Sequence, residues 1–251
     1  MIAAALVVAG TIAPVFVPPL DVVLRYQTVE LRRGKAGPER FTLLNELRFA
    51  RDGAGFRLAI TPVGAEAEAP PAARAAYRAG MAPFLGVTTR IAVSAAGEPE
   101  GVADPEGNWR LVLASVEAAA TAEARAHGEA AARPLRATRA ALAALPADAV
   151  RERLLDGAAD LLGVRPPPLG LGEATALDGG GTLALERADG ATLRYRLRMR
   201  QGQGPATLDQ ERILVLDRAT GLLLECRTTS TARFADGRTE PAGEAVIRWL
   251  R

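Results

Sequence analysis

The chain has very little of the residues on which disulfide frameworks and most enzyme centres depend. Its 251 residues include one cysteine, Cys226, and one histidine, His127. A single thiol excludes an internal disulfide, and this one stands too far from the N-terminus to be the lipidated cysteine of a lipoprotein. No Cys and His cluster can form, so zinc sites of the usual kind and His-based nucleophilic triads lack their material. His127 ends an Ala-rich stretch beside Gly128 and Glu129, which reads as a solvent-facing position at a helix C-terminus, where partial positive charge suits the dipole. There is no G-x-S-x-G elbow and no P-loop. Gly170-Leu171-Gly172 lacks the third glycine and the strand-turn-helix setting of a dinucleotide fingerprint. None of the 29 acidic residues is singled out as half of an acid/base pair. The expectation is a protein that is not an enzyme, with no catalytic residues, no metal and no cofactor.

Aromatic side chains are scarce as well, at 4%. The interior must then be aliphatic, built from Leu, Val and Ala, with few of the flat rings that stack on bases or sugars. Lysine is nearly absent: Lys35 is the only one among 31 basic residues. The formal charge of +2 is too small for a nucleic-acid footprint, which needs basic residues clustered on one face. No nucleic-acid partner is expected.

The first twenty residues carry no charged side chain at all. Met1 to Ala13 form an apolar run of the length of a signal-peptide core, and cleavage after Gly10 would place small residues at the right positions. Pro14, Pro18 and Pro19 break the run before it reaches the roughly 20 residues that span a bilayer, so no integral membrane span is expected in the mature chain. Residues 1–19 thus read as a signal peptide or an unstructured apolar N-terminus, and the protein as periplasmic or secreted. The competing reading is a buried N-terminal strand around Val15 to Val17.

What the chain does have is alternation. Residues 22–33, 39–50 and 55–62 read as strands, the second most clearly, with Phe41, Leu43, Leu47 and Phe49 against Thr42, Glu46 and Arg48. A short Ala-rich helix is expected over 71–82, then a strand carrying Val87, Thr89, Ile91 and Val93, with Gly97 to Gly101 as a turn. Asp104 is a fitting N-cap and Pro105 a fitting first residue for a long helix with a Trp109, Val112, Leu113, Val116 and Ala120 stripe. Pro134 and Pro146 divide the rest of the middle third into two further helices, the last with Val150, Leu154, Leu155, Ala158, Leu161 and Leu162 on one face. Gly163 to Gly181 reads as a stiff connector. Five strands, 182–187, 192–200, 208–216, 221–234 and 243–250, then succeed one another at hairpin spacing. The helical middle is too Ala-rich to hold a core of its own. The expected fold is therefore α+β, a half-barrel of about nine or ten antiparallel strands over residues 20–251. Strands 22–62, 87–103 and 182–250 wrap over helices 71–82 and 105–163.

On the strand 192–200, Arg194, Arg196, Arg198 and Arg200 share one face and Leu193, Tyr195, Leu197 and Met199 the other. The guanidinium groups are either an anionic contact surface, through Arg194, Arg196 and Arg198, or a solvated face paired with Glu186, Asp209 and Glu211 on flanking strands. Cys226, read in phase with Leu222 and Leu224, is expected to be a small buried hydrophobe.

The order of strands, helices and closing meander, with the turn Asp217-Arg218-Ala219-Thr220-Gly221 leading into Leu222, Leu223 and Leu224, resembles the lipoprotein-carrier half-barrel superfamily. That group includes lipoprotein-localisation carriers and lipid-binding lipoproteins. The same plan and turn also resemble bacterial envelope proteins of no assigned role. The resemblance implies an apolar cavity between sheet and helices able to hold a lipid, and it carries no fixed binding motif. From the alternation, Leu43, Leu58, Ile91, Leu193, Tyr195, Leu197 and Leu224 are the residues expected to line such a cavity. The alternative is a structural or protein-interaction module with an envelope partner and no small ligand.

Overall fold

The computed structural model describes residues 11–34, 37–162, 166–177, 180–203 and 206–250. A meander of β1 (Leu24–Gly34), β2 (Gly37–Asp52) and β3 (Gly55–Glu68) comes first, then helix α1 (Pro71–Met81) and the short strands β4 (Thr89–Val93) and β5 (Pro99–Val102). Helices α2 (Pro105–His127), α3 (Glu129–Ala143) and α4 (Ala147–Leu162) make the middle. The chain returns to strands with β6 (Ala174–Leu177), β7 (Gly181–Ala188), β8 (Thr192–Gln203), β9 (Ala206–Asp217), β10 (Leu223–Phe234) and β11 (Thr239–Leu250). Among the described residues these strands form one 11-stranded antiparallel sheet in the order β5-β4-β3-β2-β1-β11-β10-β9-β8-β7-β6.

The seam joins β1 to β11, with Tyr26 opposite Trp249 and Thr28 opposite Ile247, so the first and last thirds of the chain share a single sheet. The sheet is curved and unclosed. Its free edges, β5 and β6, are four residues each, which limits the unpaired backbone offered to another chain.

Inner-face side chains form two apolar clusters. One gathers Leu24, Tyr26, Leu47, Phe49, Phe56, Leu58, Ile91 and Val93 under Ala158 and Leu162 of α4. The other gathers Leu183, Leu185, Leu193, Tyr195, Leu197, Leu214, Leu216, Leu223 and Cys226. Ile247 at the seam touches both. Helix α1 is tied to the same face, since Tyr77 packs on Phe41 with ring centroids 4.9 Å apart and its hydroxyl donates to Thr42 O. Asp104 caps α2 as its sequence predicts, accepting from Gly107 N at 2.9 Å, and Asn108 in the first turn accepts from Thr89 of β4.

Residues 1–10, which carry most of the expected signal-peptide core and its cleavage point, lie outside the described residues, as does Lys35. Residues 11–20 form an extended strap across the sheet. Ile12 and Leu169 exchange backbone hydrogen bonds, Val17 N donates to Thr220 O, and Asp21 N donates to Phe49 O. Phe16 is 6% exposed, with its ring edge-on to Phe49 and Phe56, whereas Val15 and Val17 face solvent. One ring, rather than a buried strand over 15–17, anchors the segment.

The turn after β9 is built to receive this strap. Asp217 Oδ1 accepts from Thr220 N and Oγ1 at 2.7 and 2.8 Å, which presents the Thr220 carbonyl to Val17. Gly221 has a φ of +70°, and a Cβ there would collide with the Val15 carbonyl oxygen. Both the backbone angle and the close approach require glycine.

Three boundaries differ from expectation. Pro134 lies inside α3 instead of dividing two helices, whereas α2 ends where expected, at Gly128, whose φ of +85° no helix can hold. The residues around Gly97 to Gly101 include the edge strand β5, and the connector after α4 includes β6. The register of β10 against β9 shifts between Leu223 and Glu225, a bulge that brings Leu223, not Leu224, into the cluster with Cys226.

Candidate functional site

Strand pairing lays the inner face out in transverse rows, and their composition changes along the strand direction. One row runs Thr28, Ile247, Cys226, Leu214, Tyr195, Leu185 from β1 through β11 and β10 to β7. It is apolar apart from Thr28 and the Tyr195 hydroxyl. The next row, two residues or about 7 Å further along each strand, runs Glu30, Ala245, Thr228, Arg212, Leu197, Leu183. The row after it pairs Gly243, Ser230, Gln210 and Met199. Over β1, β11, β10 and β9 the floor thus changes from aliphatic to hydroxyl, amide and guanidinium within two rows.

A trough of about 500 Å³ opens above this boundary, lined by Thr28, Glu30, Gln210, Arg212, Cys226, Thr228, Ser230 and Ile247 from the sheet and Asp160 from α4. Its volume lies within the range of small-ligand pockets. Arg212 stands across it. Its guanidinium meets the Asp160 carboxylate at 3.1 Å and donates to Gln210 Oε1, pinning α4 over the polar floor. Burial pushes the Cys226 thiol up from its ordinary range, so at neutral pH it is a protonated, weakly polar wall.

The residues expected to line a lipid cavity occupy other places. Leu58 and Ile91 face each other in the first cluster, and Leu193, Tyr195 and Leu197 lie in the second, all at 2% exposure or less. Strap, α4 and neighbouring strands pack directly on them, and none lines the trough. Leu43 is half-buried and pairs with Thr28 at the trough's edge. Leu224 is the half-buried residue of the bulge. The Tyr195 hydroxyl is buried without a hydrogen-bond partner among the described residues, and its acidity is weakened by burial alone. The Tyr26 hydroxyl, by contrast, donates to Leu223 O at 2.7 Å across β11, beside the bulge of β10.

The arginines of β8 lie on the outer face and are paired. Arg194 and Arg196 reach Glu186, Arg198 reaches Glu211, and Arg200 reaches Asp209, which also holds Arg233. Arg196 and Arg194 stand directly opposite Ile213 and Val215 of β9. These ion pairs are the flanking-strand pairing open to the sequence. Motif reasoning does not find the polar floor residues, although Gln210 and Arg212 fall in phase with Leu208 and Leu214, and Thr228 and Ser230 with Cys226. Polar residues at inward positions are the signal that marks them.

His127 ends α2 with its side chain half exposed, 4.0 Å from Glu123. Among the described residues no group of three or more His, Cys, Asp or Glu is placed to hold a metal, and no helix is long and apolar enough to cross a membrane.

No family model matches the chain, and no curated protein matches it. Among solved structures it is similar to one described as lipid-protein interactions in lipovitellin, with a TM-score of 0.46 and 8% identity. That alignment covers 91% of this chain and 25% of the other, so the chain spans about a quarter of that chain's length.

Proposed function

We propose that this chain is an exported, non-enzymatic envelope protein, periplasmic or secreted, that binds a lipid or other amphiphile between sheet and helices. The observation that supports it is the change of the inner floor from the Ile247–Cys226–Leu214 row to the Thr228–Arg212 and Ser230–Gln210 rows beneath one trough. An amphiphile lying along the strands would set its chain over the first row and its head against the hydroxyls and Arg212. The close-packed clusters on either side confine it to this strip.

The test is native mass spectrometry of the full chain recovered from the periplasm of a producing cell. The reading expects a bound lipid that is lost when Ala245, on the trough floor, is changed to Phe. A clean unliganded mass, or fractionation that leaves the protein in the cytoplasm, would count against it.

A second reading, a module that docks on another envelope protein, is supported by a different feature. Val15, Val17, Leu20, Val22 and Val23, in the strap and the residues that lead from it into β1, are 38 to 58% exposed, an uncommon run of uncovered aliphatic surface. Crosslinking in cells from position 22 to a defined protein, with no lipid recovered, would favour it.

A further inference from the structure

An open groove of about 700 Å³ lies away from the sheet, in the helical layer, along α2 between α1 and α3. Its floor is made by Ala114, Ala118 and Ala122 of α2, with Ala79 of α1 to one side. These positions repeat at one face of the helix, where a bundle core would carry Leu. Alanine side chains are too short to meet across the gap, so the space stays open. The α1–α2 contact is instead made where Ser115 Oγ donates to Gly80 O and Gly80 lies against Ala119, on the adjoining face of α2.

Charge at this groove is unbalanced. Arg139 of α3 and Glu117 of α2 pair across it at 3.2 Å. Arg110 and Arg125, which also line it, form no ion pair among the described residues. They stand 15 positions apart, about 22 Å along the helix axis. The groove is thus an aliphatic slot with a positive charge near each end.

Charge decides what fits. An occupant lying on the alanines meets a guanidinium near either end, which suits a slim aliphatic chain carrying one anionic head. We infer that this groove is a second binding site, distinct from the trough, for a single-chain anionic amphiphile of the long-chain fatty acid class. Its alkyl chain lies on the alanines and its carboxylate meets Arg110 or Arg125.

The experiment is a fluorescence titration of the full-length protein with cis-parinaric acid, a long-chain fatty acid, and with its uncharged methyl ester. Saturable binding of the acid is expected, weakened about tenfold or more by Arg110→Gln with Arg125→Gln, as loss of charge-assisted contacts implies. The ester should bind the parent protein as weakly as the acid binds that double variant. Ala114→Phe, at an exposed position whose filling leaves the core untouched, should weaken both probes, with the circular dichroism spectrum confirming an intact fold. The inference is overturned if the acid does not bind, if acid and ester bind alike, or if neither groove variant changes the affinity. It is also overturned if Ala245→Phe in the trough abolishes binding while the groove variants do not, an outcome that leaves the proposed function standing. A clean unliganded mass of the parent protein, with groove-dependent parinaric acid binding intact, would count against the proposed function and leave this inference standing.

Discussion

At the scale of single residues, two buried tyrosines on the inner face make opposite demands. Tyr26 spends its hydroxyl on the Leu223 carbonyl, so Tyr26→Phe leaves a buried acceptor unsatisfied and should cost about 1–2 kcal/mol. Tyr195 has no partner for its hydroxyl among the described residues, so Tyr195→Phe removes a desolvated donor and should leave stability unchanged or raise it by up to about 1 kcal/mol. Urea denaturation of both variants checks the contrast, and equal destabilisation would contradict it. Both tyrosines could be placed on strands from alternation. Which one finds a partner depends on the bulge at Leu223 to Glu225, and a period-two reading puts Leu222, Leu224 and Cys226 in phase straight through it.

Among the elements, the strap and the turn after β9 depend on each other. Gly221→Ala would meet a left-handed backbone and the Val15 carbonyl together, and a destabilisation of at least about 2 kcal/mol is expected. Phe16→Ala should cost about 3–5 kcal/mol by emptying the space between Phe49 and Phe56. If the turn acts by seating the strap, the double variant should lose less than the sum of the two, which a mutant cycle in urea would reveal. The outer ladder of β8, β9 and β10 makes a separate prediction. The Arg200 hydrogen bond, helped by Arg233, holds the Asp209 carboxyl below its usual value of 3.8. Its folded acidity constant is thus depressed relative to the unfolded chain. The stabilisation is present above about pH 4 and is lost as pH falls through the folded value. Asp209→Asn should flatten that acid limb in urea midpoints measured from pH 7 downward, with the larger difference from the parent at low ionic strength.

Taken whole, the molecule joins a helical layer of little core to a sheet that has two. The buried residues of α1, α2 and α3 are Gly80, Ala120 and Ala132, too little apolar volume for an independent unit. Helices and sheet are therefore expected to unfold together. Trp109 reports on α2 and Trp249 on the β1–β11 seam, so single-tryptophan variants made by Trp109→Phe and Trp249→Phe should give coincident urea transitions that match far-UV circular dichroism. An earlier transition at Trp109 would mean that the helical layer is a separate cooperative unit.

Local chemistry carried much of this architecture. Asp104 before Pro105 set the start of α2, and alternation set the strands; Asp52-Gly53 and Asp236-Gly237, with glycine φ of +54° and +84°, stand at the turns from β2 to β3 and from β10 to β11, because caps, turns and pleats are governed by near neighbours. Where the local signal was weak, the tertiary structure decided. β5 and β6 are four-residue strands that exist by pairing with β4 and β7, and Pro134 lies inside α3, beyond the first turn, where local propensity alone favours a break. The functional surface belonged almost wholly to the long-range level. The arrangement of Thr28, Arg212, Thr228 and Ser230 as neighbouring floor residues under Asp160 follows from the register of four strands and the position of α4. A linear sequence shows which residues face inward. Whether the space above them is filled, as over Leu58 and Leu193, or left open, as over Arg212, depends on what the rest of the chain brings to that face.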